Sequence, residues 1–335
     1  MKKILLLAIL LIVTVVLYFG NNNGWFKGKH GERRDFAVTD TAAIDKIFMA
    51  DKGGKKILLE KVGGEWKVNG KYDANQGWLK QLFETIYKVK VKNPVPKNAL
   101  NAVIKNLSSE HIKVEIYTHN ELNKTYYVGG STQDLHGTYM WIENSDVPFI
   151  CEIPGWEGFL QPRYNLNEMT WRSRKVFGIN PDEISEVKII YRDAQKKGFT
   201  ILQEKGNVVL KTLDGIPQNN IDTIMVKYYL NLFKEVHAEA FGMVFKEENS
   251  DSIRNSQYWC RIEVKHGDKL ETLNIHQRKV NERTKQQFDM KGNELNIDTE
   301  RYYAYKNNSH DAMLIQDYVF ANFFRSIEDF SKKKK

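Results

Sequence analysis

The chain opens with a single apolar run. Lys2 and Lys3 precede Ile4–Phe19, which only Thr14 and Tyr18 interrupt. No polar face breaks the run, so it does not read as a core helix. It is slightly shorter than the ~20 residues that span a bilayer, and Tyr18, Trp25 and Phe26 could extend it at the interface. Leu17–Asn21 offers no small-residue cleavage site, and no cysteine follows for lipidation. The run therefore predicts an uncleaved signal-anchor over 1–20, with a cleaved signal peptide as the alternative. The short N-terminal tail predicts a cytoplasmic N-terminus, with the rest exported to the periplasm. The Asn-, Gly- and Lys-rich segment 21–35 reads as a stalk.

Beyond the stalk the pattern changes to short alternating stretches, and it occurs twice. Ile44, Ile47 and Met49 are spaced like Ile184, Val187 and Ile189. Leu58-Leu59-Glu60 lines up with Ile201-Leu202-Gln203, and Trp66-Lys67-Val68 with Val209-Leu210-Lys211. Gly63-Gly64 and Gly206-Asn207 fall between these stretches, where hairpin turns need positive φ. A helical period follows in each half, through Trp78–Ile86 and Val226–Val236, with Asn75 and Asp222 as candidate N-caps. Leu82-Phe83 is matched here to Leu232-Phe233. Ile112–Ile116 then matches Cys260–Val264, Thr125–Val128 matches Thr272–Ile275, Thr138–Trp141 matches Tyr302–Tyr305, and Phe149–Ile153 matches Met313–Asp317. Aromatic segments close both halves: Trp156, Phe159 and Leu160 in one, Phe320, Phe323 and Phe324 in the other. These spacings predict an α+β fold: two tandem repeats of mainly antiparallel sheet with packed helices, at 36–165 and 184–330. A linker at 166–183 separates them, and a basic tail at 331–335 ends the chain. The alternating Lys88-Val89-Lys90-Val91-Lys92 reads as an edge strand guarded by lysines. Arg278–Asn296 is extra in the second half and reads as an exposed loop.

The stretches Gly137-Thr138-Tyr139-Met140, Pro148-Phe149, Ile153-Pro154-Gly155-Trp156-Glu157-Gly158-Phe159-Leu160, Pro162-Arg163-Tyr164 and Trp171-Arg172-Ser173-Arg174 resemble the domain of unknown function 4340 family. The restart at Ile184 fits as well. The resemblance covers roughly 36–330 and rests on turn and packing residues. It implies an envelope-anchored bacterial protein, some relatives being linked to auxiliary components of gliding-type ABC transport systems. It supplies no catalytic residue.

Composition narrows the chemistry little. Across 335 residues, 50 Lys and Arg against 42 Asp and Glu give a net charge of +8, too diffuse to demand nucleic acid. Phosphate-binding, nucleophile-elbow and metalloprotease motifs are absent from the sequence. Neither a catalytic centre, a cofactor nor a metal is expected. His266 and His276 flank a turn and are the nearest approach to a metal pair; Cys151 and Cys260 read as buried strand residues, with a disulfide as the alternative. Arg163, Tyr164, Trp171, Arg172 and Arg174 form a basic, aromatic stretch in the linker. They are the candidate partner-binding residues, weighed against a role as packing between the repeats. The sequence thus predicts a non-catalytic protein of the inner membrane that binds another envelope protein, with an envelope polysaccharide-binding module and an unreadable hydrolase as alternatives.

Overall fold

The computed structural model describes Thr14 and residues 31–193, 197–241, 250–282 and 284–332. The apolar run Ile4–Phe19 lies outside the described residues except for Thr14. No helix among the described residues is long and apolar enough to cross a membrane. Two units form, Met1–Ser173 and Arg174–Lys335.

The first unit comprises β1 (Ile44–Asp51), β2 (Lys56–Val62), β3 (Glu65–Val68), β4 (Tyr72–Asp73), α1 (Gln76–Lys88), β5 (Lys90–Pro94), α2 (Lys97–Ser109), β6 (Ile112–Thr118), β7 (Glu121–Ser131), β8 (Thr138–Ile142), β9 (Phe149–Glu152) and α3 (Glu168–Trp171). Its strands form one antiparallel sheet, ordered β4-β3-β2-β1-β6-β7-β8-β9-β5. Alternation decides the faces. Ile44, Ile47 and Met49 of β1 bury beside Ile57 and Leu59, Val114 and Ile116, and Tyr126 and Val128. The Asn75 side chain accepts the Gly77 and Trp78 amides, so α1 starts there and lays Leu79, Leu82 and Ile86 on that face. The opposite face is smaller. There Val103 and Leu107 of α2 meet Tyr139, Trp141 and Ile150. Gly129 permits this approach, because a Cβ there would lie 2.5 Å from Leu107 Cδ2. The lysine-bearing β5 takes an edge of the sheet, as its alternation predicts.

The second unit comprises β10 (Lys175–Phe177), β11 (Ile184–Tyr191), β12 (Phe199–Glu204), β13 (Asn207–Lys211), α4 (Thr223–Asn231), β14 (Val236–His237), β15 (Ala240–Phe241), α5 (Ser250–Asn255), β16 (Cys260–His266), β17 (Lys269–Lys279), β18 (Ile297–Lys306), β19 (Met313–Gln316) and α6 (Asp317–Phe320). Its main sheet is ordered β13-β12-β11-β16-β17-β18-β19-β15, and β10 pairs separately with β14. Asp222 caps α4 by accepting the Ile224 and Met225 amides. Val226, Tyr229 and Leu230 then face a core of interlocked rings, in which Phe199, Tyr229, Phe233, Phe323 and Phe330 meet edge to face.

The segment 166–183 differs from a free linker. Trp171 is 0% exposed inside the first core, and Val176 and Phe177 are buried in the second. Ala74 bridges Arg172, and the Ser173 amide donates to Asp73 O at 2.7 Å. The backbone of 171–173 therefore closes the first unit, and the chain enters the second directly afterwards. Indole and phenyl area removed from water here favours burial over a solvated tether.

Candidate functional site

The linker residues singled out from sequence have unequal fates. Tyr164 ends a short 3₁₀ turn, Gln161–Tyr164, that Pro162 starts. It is fully buried, with its hydroxyl 3.0 Å from that of Tyr126. Burial pushes both phenols above the ordinary tyrosine range. The Trp171 indole donates to Asn165 O at 2.6 Å and meets Trp78 edge to face. Arg172, 4% exposed, lays its guanidinium 3.5 Å from the centre of the Tyr72 ring. These three residues pack the first unit and offer no surface to a partner, which corrects their reading as contact residues. Their apolar area, and the stem of the arginine, are worth more inside than in solvent.

Arg163 and Arg174 remain accessible. Arg163 is half-buried, donates to Thr85 Oγ1 at 3.1 Å and rests 4.3 Å from the centre of the partly exposed Trp156 ring. Arg174 is exposed and donates to Glu239 O within the second unit. The two arginines belong to different units, so the structure does not gather the five residues into one site.

A site the sequence did not suggest lies on the first unit. Between β3 and α1, Thr41, Trp66, Gln76, Leu79, Lys80, Phe83, Glu84 and Tyr87 line an open groove of about 440 Å³. Trp66 and Phe83 stand edge to face at 5.3 Å and form its apolar wall. Gln76, Lys80 and Glu84 come from the outward side of α1, at one-turn spacing. Lys88 pairs with Glu84 at 2.7 Å, and this hydrogen bond holds the carboxyl below the ordinary range, so the rim carries fixed charge. Rings flanked by an amide, an amine and a carboxylate suit a ligand with both apolar faces and hydroxyls.

The second unit carries a buried polar layer where the first has an apolar one. Arg278 donates to Asp298 at 2.8 Å, to Asn281 at 3.2 Å and to the Tyr303 hydroxyl at 3.3 Å. The other Asp298 oxygen accepts the Glu300 and Arg301 amides. Arg278 thus roots the Arg278–Asn296 insertion in the protein, which corrects its reading as wholly exposed. His276 is also buried, with Nδ1 3.1 Å from Ser256 Oγ, and its Nε2 meets no hydrogen-bond partner. Burial lowers its pKa.

Comparison with known proteins adds no assignment. No family model matches the chain, and neither a curated protein nor a solved structure matches it.

The remaining candidates separate. His266 pairs with Lys269 beside the β16–β17 turn, while His276 pairs with Tyr303 far along β17, so the two imidazoles do not converge. Among the described residues, no group of three His, Cys, Asp or Glu is arranged to hold a metal. Cys151 and Cys260 are free thiols, each inside the core of its own unit. His136 sits in a local turn, its amide donating to Asp134.

Proposed function

We propose that the chain is a non-catalytic envelope protein, held at the inner membrane by the Ile4–Phe19 run, that presents two copies of one α+β fold to another envelope protein. The duplication draws support from pairing as well as pattern. Strands β3-β2-β1-β6-β7-β8-β9-β5 follow the same order as β13-β12-β11-β16-β17-β18-β19-β15. The pairing of the first strand shifts between Ile44 and Lys46 in one unit and between Ile184 and Glu186 in the other. A shared bulge is a construction detail that independent sheets have no reason to share.

The observation that carries the functional reading is a contrast between equivalent helices. Both bury one face on the sheet. Outward, α1 offers Gln76, Lys80 and Glu84, whereas α4 offers Ile224, Met225 and Tyr228. A common frame with different outward chemistry suits presentation of surfaces. The resemblance to the domain of unknown function 4340 family points toward a transport or gliding-type complex.

Affinity capture of the full chain from detergent-solubilised membranes tests this. Transporter subunits in the eluate support it, and an eluate holding the bait alone rejects it. The aromatic groove favours a second reading, an envelope-polysaccharide module. Retention on purified envelope glycan that Trp66→Ala abolishes would establish that reading instead.

A further inference from the structure

We infer that the outward face of α4 and the basic C-terminal tail form one membrane-contact surface that docks on anionic phospholipid. The inference rests on the reading that the folded part stands beside a membrane.

The helix is apolar on both sides. Val226, Tyr229 and Leu230 face the core. Ile224 is 80% exposed, Tyr228 52% and Met225 36%, and Ile216 in the preceding turn is 61% exposed. Ile224 and Tyr228 are one turn apart and share a face. Single exposed apolar residues need no explanation, but a helix face built from them does. Tyrosine beside isoleucine and methionine is the composition of a bilayer interface, where a ring can sit at headgroup level. Lys227, also exposed, lies between them in sequence.

The tail is tied to this same end of the helix. The Asp222 amide donates to Phe330 O at 2.7 Å, Ile221 bridges Ser331, and the Lys332 amide donates to Asn220 O at 3.2 Å. Lys332 therefore departs from the fold beside the turn that leads into α4, and Lys333, Lys334 and Lys335 follow in sequence. Nearby acids are occupied. Asp222 caps the helix, Glu328 pairs with Lys197 at 2.9 Å, and Asp329 accepts the Ser326 amide. Four lysines next to an exposed apolar face match an anionic lipid surface: the apolar side chains enter the headgroup boundary and the lysines draw the negative charge. Unmatched lysine charge at the rim suits an apolar protein surface less well.

Full-length chain labelled at Ile224→Cys with an environment-sensitive fluorophore tests the inference; Cys151 and Cys260 are buried and spared by native-state labelling. The chain is reconstituted into vesicles of phosphatidylcholine, alone or mixed with phosphatidylglycerol. We expect a blue-shifted, lipid-quenched emission in the mixed vesicles. High salt, or replacement of Lys332, Lys333, Lys334 and Lys335 by Gln, should reverse it. A label at Lys80→Cys should stay aqueous throughout. Aqueous emission from position 224 in the mixed vesicles overturns the inference. A shift that follows protein concentration instead of lipid composition assigns the face to a second copy and overturns it too. Flotation with phosphatidylcholine vesicles reports separately on the Ile4–Phe19 anchor, so either reading can fail while the other stands.

Discussion

The backbone carbonyl of Trp171 accepts the amide of Asn75 at 2.7 Å, and the Asn75 side chain in turn caps α1. Phe330 and Asp222 make the same bond, also at 2.7 Å, in the second unit. In both units a large buried ring thus anchors the end of the chain against the start of the helix.

Removing either cap should cost about the same. Asn75→Ala and Asp222→Ala are each expected to lower stability by about 1 kcal/mol, the usual worth of an N-cap. Urea unfolding of the two variants checks this. Losses below ~0.3 kcal/mol would mean that the packed rings hold the helix ends without the side chain.

Trp171→Ala should destabilise by about 3–5 kcal/mol, as removal of a buried indole does. Arg172→Ala should cost less, about 1–2 kcal/mol, because it loses stacking on Tyr72. Arg163→Ala and Arg174→Ala should change stability little. If Arg172→Ala leaves the unfolding curve unmoved but weakens partner capture, the packing assignment of Arg172 is wrong.

The Arg278–Asp298 pair is buried, its side chains 7% and 0% exposed. Asp298→Asn or Arg278→Met alone should cost about 3–5 kcal/mol, since each strands the other partner in the interior. The double replacement should cost less than the two singles combined. A double-mutant cycle with no coupling would remove the pair as a unit of stability.

His276 predicts a pH dependence of known sign. Burial pushes its folded pKa below the ordinary value, so the unfolded chain binds the proton more readily. Its contribution is complete above the unfolded pKa of about 6.5 and falls as the solution is acidified toward the folded value. His276→Gln should therefore flatten the loss of stability between about pH 7 and 5. Chemical unfolding across that range, with and without the substitution, measures it, and parallel profiles would contradict the assignment.

The sheet was legible wherever alternation fixed a face. Ile112–Ile116 and Cys260–Val264 occupy matching places, since Val114 pairs with Met49 as Ile262 pairs with Ile189. Met140 and Ala304 also match, pairing with Val128 and Ile275. The first hairpin was matched one residue out. Leu59 pairs with Ile47 and Ile201 with Val187, so Leu59, and not Leu58, corresponds to Ile201. The cause is the turn. Its left-handed residues are Gly63 and Gly64 in one unit but Lys205 and Gly206 in the other. A lysine at positive φ gives no signal in sequence, and one residue of slip exchanges the faces of a strand. The helix match failed for a related reason. Counted from the caps, Ile86 corresponds to Phe233, and the carbonyls of both accept from the segment entering the sheet, Val38 and Ile179.

The candidate site was less legible because burial is a property of the whole unit. Tyr164, Trp171 and Arg172 look like a contact stretch, yet their partners Tyr126, Trp78 and Tyr72 lie far away in sequence. The groove had the opposite problem. Trp66 belongs to a strand and Phe83 to a helix, and neither motif nor spacing links them before the chain folds.

The bond from Asn75 to Trp171 also sets an order of events. It joins the start of α1 to residues at the far end of the first unit, so that unit is incomplete until position 173 has been synthesised. A chain emerging N-terminus first, as export requires, holds β1 to β9 without their final staple until then. Contacts of such long sequence separation close slowly. The first unit is exposed to proteases and to mispairing with the similar strands of the second for as long as its last eight residues are missing. A boundary drawn at 165 would make that transient condition permanent, whereas one drawn after Ser173 leaves a unit with its helix start secured.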